Sequence, residues 1–175
     1  MSGRVVVTGS LAFDHITDIP GRFADHILPE KIHILNLSFT LKTLKKQYGG
    51  TAGNIAYSLA LLGEQPTLWA LAGSDFLPYK KHLQAVGVDT SGVVIRKDLL
   101  TATFFVMTDR ADNQLGGFYP GPLDKPYPLK VRDLNKMPSL MIISPNNPKL
   151  MVRFSRECQS QKIPFIFDPG QQIIR

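Results

Sequence analysis

Four short apolar runs constrain this chain more than any other feature of its sequence. They are Val5-Val6-Val7-Thr8, Thr67-Leu68-Trp69-Ala70-Leu71-Ala72, Leu140-Met141-Ile142-Ile143 and Pro164-Phe165-Ile166-Phe167. The first three lack apolar–polar alternation and read as strands covered on both faces, as in a parallel sheet. The fourth reads as a further strand, closed by Asp168-Pro169-Gly170. Between the runs the period becomes helical. Ala52, Ile55, Ala56, Leu59 and Leu62 share one face, and Gly63 stands where a C-terminal cap belongs. Residues 77–86 form a second helical pattern that stops at Gly87. Asn147-Pro148 supplies an N-cap followed by proline at the first helical position, with Met151, Phe154 and Cys158 on one side. Strands that alternate with helices give an α/β sheet with both faces covered.

A second group of segments does not fit that sheet. Residues 16–37 and 93–119 are more exposed and more alternating, and they predict a small second sheet. Within them, His33–Leu37 and Val93–Arg96 read as strands. Thr101–Thr108 and Gln114–Tyr119 read as hairpin arms joined by Asp109-Arg110-Ala111-Asp112-Asn113, good turn chemistry. Ser38–Tyr48 reads as a short helix, residues 120–128 as a proline-rich loop, and 171–175 as the start of a helix.

The chain has 175 residues, enough for one core but not for two full domains. Its net charge is +6, and the basic residues are diffuse; the densest group is Lys42, Lys45 and Lys46. A nucleic-acid reader carries a longer basic stripe or interleaved aromatics, so that class is set aside. The lysines are either a solvated face or a positive field for a phosphorylated co-substrate. No run of about 18 apolar residues is present to span a bilayer, and the first residues lack a secretory pattern. Cys158 is the single cysteine, which excludes an intrachain disulfide and suits a reducing cytoplasm. The four histidines show no metal spacing, so no metal site is expected.

Two features carry candidate chemistry. Gly49-Gly50-Thr51-Ala52-Gly53-Asn54 runs straight into the first helix. Glycines allow close backbone approach and positive φ, and a helix N-terminus offers free N–H donors. The alternative is a plain tight turn. Asp14 lies beyond the first strand, at the end where open α/β sheets bind ligands. Its two acceptor oxygens suit the hydroxyls of a vicinal diol, whereas a solvated loop aspartate needs no ligand. Asp168 also ends a strand, but Asp-Pro-Gly is first of all a turn.

Together these residues resemble the PfkB (ribokinase-like) sugar and nucleoside kinase family. The carriers are Val5–Gly9 through Asp14, the block Gly49–Gly63, Gly87-Val88-Asp89-Thr90-Ser91, Thr101-Ala102-Thr103, Asp112-Asn113-Gln114 and Phe118-Tyr119-Pro120-Gly121. Phe165–Gln171 looks like bacterial adenosine or nucleoside kinases within that family. The resemblance implies a Rossmann-type, ribokinase-like three-layer α/β sandwich with a small β-sheet lid near 13–37 and 93–119. It implies transfer of the γ-phosphoryl of ATP, with Mg2+ and a monovalent cation as candidate ions, to the 5′-hydroxyl of a nucleoside. By position, Asp14 would bind the ribose hydroxyls, and Gly50 and Asn54 would complete that site. Gly49-Gly50 would hinge the lid, and Ser10 and Thr51 would line the pocket. Thr103 and Phe118 would contact the base or close over it. The family's Gly-Ala-Gly-Asp and Asn-x-x-Glu motifs do not occur in 1–175, so the catalytic base and ATP-binding part are expected outside a truncated chain. A sugar kinase and a non-catalytic nucleoside- or sugar-binding fragment are the alternatives. A homodimer through the lid is a further expectation.

Overall fold

The structure is a computed structural model, and it describes residues 4–34, 36–134 and 137–170. In chain order the elements are β1 (Val5–Thr8), β2 (Ala12–Asp18), β3 (Thr43–Gly49), α1 (Thr51–Leu61), β4 (Thr67–Gly73) and α2 (Leu77–Ala85). They continue with β5 (Val93–Arg96), β6 (Ala102–Thr108), β7 (Gln114–Tyr119), β8 (Leu140–Ile143), α3 (Pro148–Ser160) and β9 (Phe165–Phe167). Two compact units result, one from residues 1–12, 48–102 and 120–175, the other from 13–47 and 103–119.

The first unit holds a five-stranded sheet in the order β5-β4-β1-β8-β9. Its pairs are parallel throughout. Parallel strands need crossovers that cover the sheet, and that is why the apolar runs are unbroken. Alternate side chains serve opposite faces. Val6, Trp69, Leu71, Met141 and Ile143 pack with Leu150, Met151, Phe154 and Cys158 of α3. Val7, Leu68 and Ala70 point the other way and are equally buried, on the face where α1 packs against β1 and β4. Asn147 caps α3 as its sequence predicts, its side chain accepting from the Lys149 N–H at 3.0 Å. The Asp168 carboxylate accepts from the Gly170 N–H at 2.9 Å, which makes Asp-Pro-Gly the turn that its composition suggests.

The second unit carries the other sheet, in the order β3-β2-β6-β7. The β6–β7 hairpin forms as the sequence predicts, antiparallel from Thr103↔Tyr119 to Thr108↔Gln114. Its loop is organised by Asp109. That carboxylate accepts from the backbone N–H groups of Phe23, Ala111 and Asn113 and from the Asn113 side chain.

Three expectations are corrected. Ser38–Tyr48 is not a helix: residues 43–49 are strand β3. Lys45 and Lys46 fall three and four residues after Lys42 by coincidence, and a strand at the margin of a small sheet, solvated on both faces, shows no period to read. Pro29–Ile34 is a 3-10 turn rather than the start of a strand at 33–37; Leu35 lies outside the described residues. Val93–Arg96 belongs not to the small sheet but to the large one, paired with β4 from Ala70↔Val93 onward. The helix start expected at 171–175 lies outside the described residues.

Candidate functional site

The candidate residues fall into two groups, one in each unit. In the first unit β1 delivers Ser10 at its carboxyl end. The Ser10 N–H donates to the Pro145 carbonyl at 3.1 Å, and the Ser10 carbonyl accepts from Ala52 N–H at 3.1 Å. The Ser10 hydroxyl accepts from Thr51 N–H at 3.0 Å. Ser10 therefore caps α1 from a distance in sequence, because Gly50 at the N-cap position has no side chain to do so. The Thr51 hydroxyl lies 3.1 Å from that of Ser10 and 3.0 Å from that of Ser144, and it contacts the Pro145 carbonyl. Ser144 in turn donates to the Thr8 carbonyl at 2.9 Å. Ser10 and Thr51 thus serve first as the joint between β1, β8 and α1, with hydroxyls engaged by protein partners. Ser144 is a member of this joint that sequence reading missed; a lone serine after an apolar strand gives no signal.

The glycine turn is required by geometry. Gly50 has φ 87° and ψ 137°, and a Cβ there would lie 2.6 Å from the Ser10 carbonyl oxygen and 2.7 Å from Ala12 N. Only glycine fits so close to the backbone after β1. Gly49 is buried, and its carbonyl accepts from the Tyr79 hydroxyl at 2.9 Å. Asn54 follows in the first turn of α1 with its side chain exposed.

In the second unit Asp14 stands on β2, half-buried. Burial pushes its carboxyl above the ordinary carboxylate value, and the neighbouring His15 offsets part of the rise. Among the described residues none donates a hydrogen bond to this carboxylate. Its partly desolvated oxygens keep the capacity to accept hydrogen bonds. Strand alternation puts His15 on the opposite face, where its ring lies 4.9 Å from that of Phe105. On β6 and β7 the register pairs Phe104 with Phe118 and Thr103 with Tyr119. Phe104 and Phe118 therefore share the face of Asp14, and Thr103 shares the face of Phe105. The hairpin places Thr103 and Phe118 on opposite faces, so one ligand cannot meet both side chains on one side of the sheet. Phe104, which sequence reading passed over, stands beside Phe118 and is partly exposed. Its signal was its even spacing from Val106 along β6.

The model of the pfkB family carbohydrate kinases matches residues 8–171. A nucleoside kinase of Methanothermobacter thermautotrophicus is 29% identical over 175 residues, covering 97% of this chain and 52% of that protein. The structure of Burkholderia thailandensis nucleoside kinase in complex with inosine is 34% identical, with a TM-score of 0.77, over 96% of this chain and 53% of the other. Ribokinase from Cryptococcus neoformans, at 20% identity and a TM-score of 0.81 over 98% of this chain and 51% of the other, shares the fold. The architecture is thus ribokinase-like, a parallel sheet with a second small sheet. The chain spans about half the length of the relatives it matches.

Proposed function

The chain belongs to the pfkB family of carbohydrate kinases, and from that premise we propose that it carries the acceptor-binding part of an ATP-dependent nucleoside kinase. Asp14 accepts hydrogen bonds from the two ribose hydroxyls, Gly50 and Asn54 hold the sugar from the glycine turn, and Gly49-Gly50 hinges the small sheet as a lid. Phe118 covers the base, with Phe104 beside it. The single observation that carries this reading is the half-buried Asp14 carboxylate with no donor among the described residues. Each charge-assisted hydrogen bond contributes about 1.5–3 kcal/mol. Two to one diol amount to roughly two to four decades of affinity if they add. The relatives named nucleoside kinases favour a nucleoside acceptor over a free sugar.

In this reading the 5′-hydroxyl attacks the γ-phosphoryl group of ATP and loses its proton to a base that residues 1–175 do not supply by motif. The chain's own residues position the acceptor, and the lid excludes water as a competing acceptor. Among the described residues no cluster of three or more His, Cys, Asp or Glu could hold a metal ion. Mg2+ is commonly held by one or two carboxylates together with substrate phosphates, so in this reading it would come to the site with ATP. No helix among them is long and apolar enough to cross a membrane, and the cytoplasm, rich in ATP, is the setting this reading assigns. The small sheet's other face, with Leu41, Leu44, Phe105, Met107 and Leu115 around a hollow of about 510 Å³, is the surface through which two copies would pair.

The test is Asp14→Ala in the full protein, assayed with adenosine, inosine, ribose and fructose in competition. We expect kcat/KM for the preferred nucleoside to fall at least tenfold. A change within about threefold, under 1 kcal/mol, removes Asp14 from the site, and preference for a free sugar replaces the nucleoside reading by the sugar-kinase one.

A further inference from the structure

The third glycine of the turn, Gly53, leads to a residue that the proposed chemistry does not use. A Cβ at Gly53 would lie 2.0 Å from the Tyr79 hydroxyl oxygen and 3.0 Å from Leu11 Cδ2. Gly53 is small because a tyrosine from α2 reaches under the first turn of α1 at that point. Tyr79 is 1% exposed, among the largest fully buried side chains. A buried phenol needs a hydrogen-bond partner. This one donates to the Gly49 carbonyl at 2.9 Å, across 30 residues of sequence. The ring is itself held in place: Tyr48 stacks on it at 4.6 Å, and His82 lies between Tyr48 and Tyr57, at 4.5 and 4.8 Å.

The consequence lies in the next peptide bond. Among the described residues no peptide bond is cis, so the Gly49–Gly50 unit is planar and trans, and its N–H points opposite to its C=O. Holding the Gly49 carbonyl toward Tyr79 turns the Gly50 N–H away from the core. Among the described residues that N–H has no backbone acceptor. Gly50, without a Cβ and at φ 87°, has a low barrier to rotating this peptide, so something outside the turn must fix its orientation.

We propose that Tyr79 is a positioning residue for the acceptor site: by binding the Gly49 carbonyl it sets the Gly49–Gly50 peptide so that the Gly50 N–H is presented as a donor to a hydroxyl of the bound sugar. The inference rests on the nucleoside-kinase reading for the identity of that sugar, but the orientation of the peptide does not depend on it.

Tyr79→Phe removes the hydroxyl and keeps the ring, the stacking and the core volume. In the full protein we expect KM for the nucleoside to rise five- to tenfold, with kcat and KM for ATP within twofold. That split marks lost acceptor binding rather than damaged chemistry. Tyr57→Phe, which leaves the carbonyl contact intact, serves as the control and should leave all three constants unchanged. A second readout does not need turnover: in protein labelled with 15N-glycine, the Gly50 amide resonance should shift or broaden in Tyr79→Phe and stay put in Tyr57→Phe. Unchanged kinetics with an unchanged Gly50 amide, even alongside a lowered melting temperature, would make Tyr79 a core residue only and overturn the inference. If the wild type phosphorylates no nucleoside or sugar, the kinase reading fails separately. The amide then decides alone: a shift in Tyr79→Phe upholds the positioning role, and no shift ends it.

Discussion

Asp14 holds a charge at a position where burial opposes it, and this gives it opposite effects on stability and on binding. A carboxyl whose pKa rises on folding carries no penalty at a pH where both states are protonated. The penalty grows as pH climbs through the unfolded and then the folded pKa, and it is complete above both. Asp14→Asn is therefore expected to raise the melting temperature at pH 7 and to leave it unchanged near pH 3, while nucleoside binding weakens. The same group should give the acid limb of the kcat/KM profile, lying above the usual carboxylate value of about 4 and lost in Asp14→Asn. Calorimetric melts at the two pH values and a pH–rate series check both; a variant less stable at pH 7 would contradict the account. At this scale the sequence pointed to Asp14 and to the glycine turn, because a carboxylate just past a strand and a Gly-Gly before a helical period are local patterns. It did not show Tyr79 or Ser144. Their roles come from contacts across 30 and 93 residues.

Among the elements, α3 and the β6–β7 hairpin show what local pattern can and cannot fix. The apolar side of α3 was legible, since Met151, Phe154 and Cys158 recur at helical spacing, and all are buried. Phe154 is fully buried, its ring 5.9 Å from that of Trp69. Phe154→Ala should cost about 3–5 kcal/mol, read from urea unfolding, and a cost under about 1 kcal/mol would mean this face of the sheet is not the core. The hairpin loop turns on Asp109. Burial raises its pKa, but the Asn113 side chain and the N–H groups of Phe23, Asn113 and Ala111 outweigh that and hold it at about 2. A carboxyl depressed on folding adds stability above its unfolded pKa of about 4 and loses it as pH falls through about 2. Acid titration of wild type and Asp109→Asn should differ in that window, the variant lacking the step. The sequence supplied the hairpin but not the strand β3. Turn residues at 109–113 mark their own geometry, whereas an edge strand of lysines and glutamine carries no alternation.

For the whole molecule, the exposed sheet margins matter most. Among the described residues β9 is the last strand of the large sheet, with Phe165, Ile166 and Phe167 exposed and no strand paired to its outer edge. The small sheet adds the hollow lined by Leu44 and Phe105. The 175-residue chain by itself is expected to self-associate in sedimentation velocity experiments. If β9 is responsible, Ile166→Lys restores the monomer; if the small sheet is, Phe105→Lys does. A wild-type monomer at tens of micromolar would show that neither margin is adhesive. The sequence by itself determined the parallel sheet, its three helices and the glycine turn. A strand buried on both faces must be apolar throughout, and a helix covering it must be apolar every third or fourth residue, so those elements are written locally. Only the tertiary structure decided that 43–49 is a strand, that 93–96 joins the large sheet, that Thr103 and Phe118 face opposite ways, and that Tyr79 reaches Gly49. Backbone ladders accept almost any side chain at a solvated edge, and register and long-range hydrogen bonds exist only once distant segments have met.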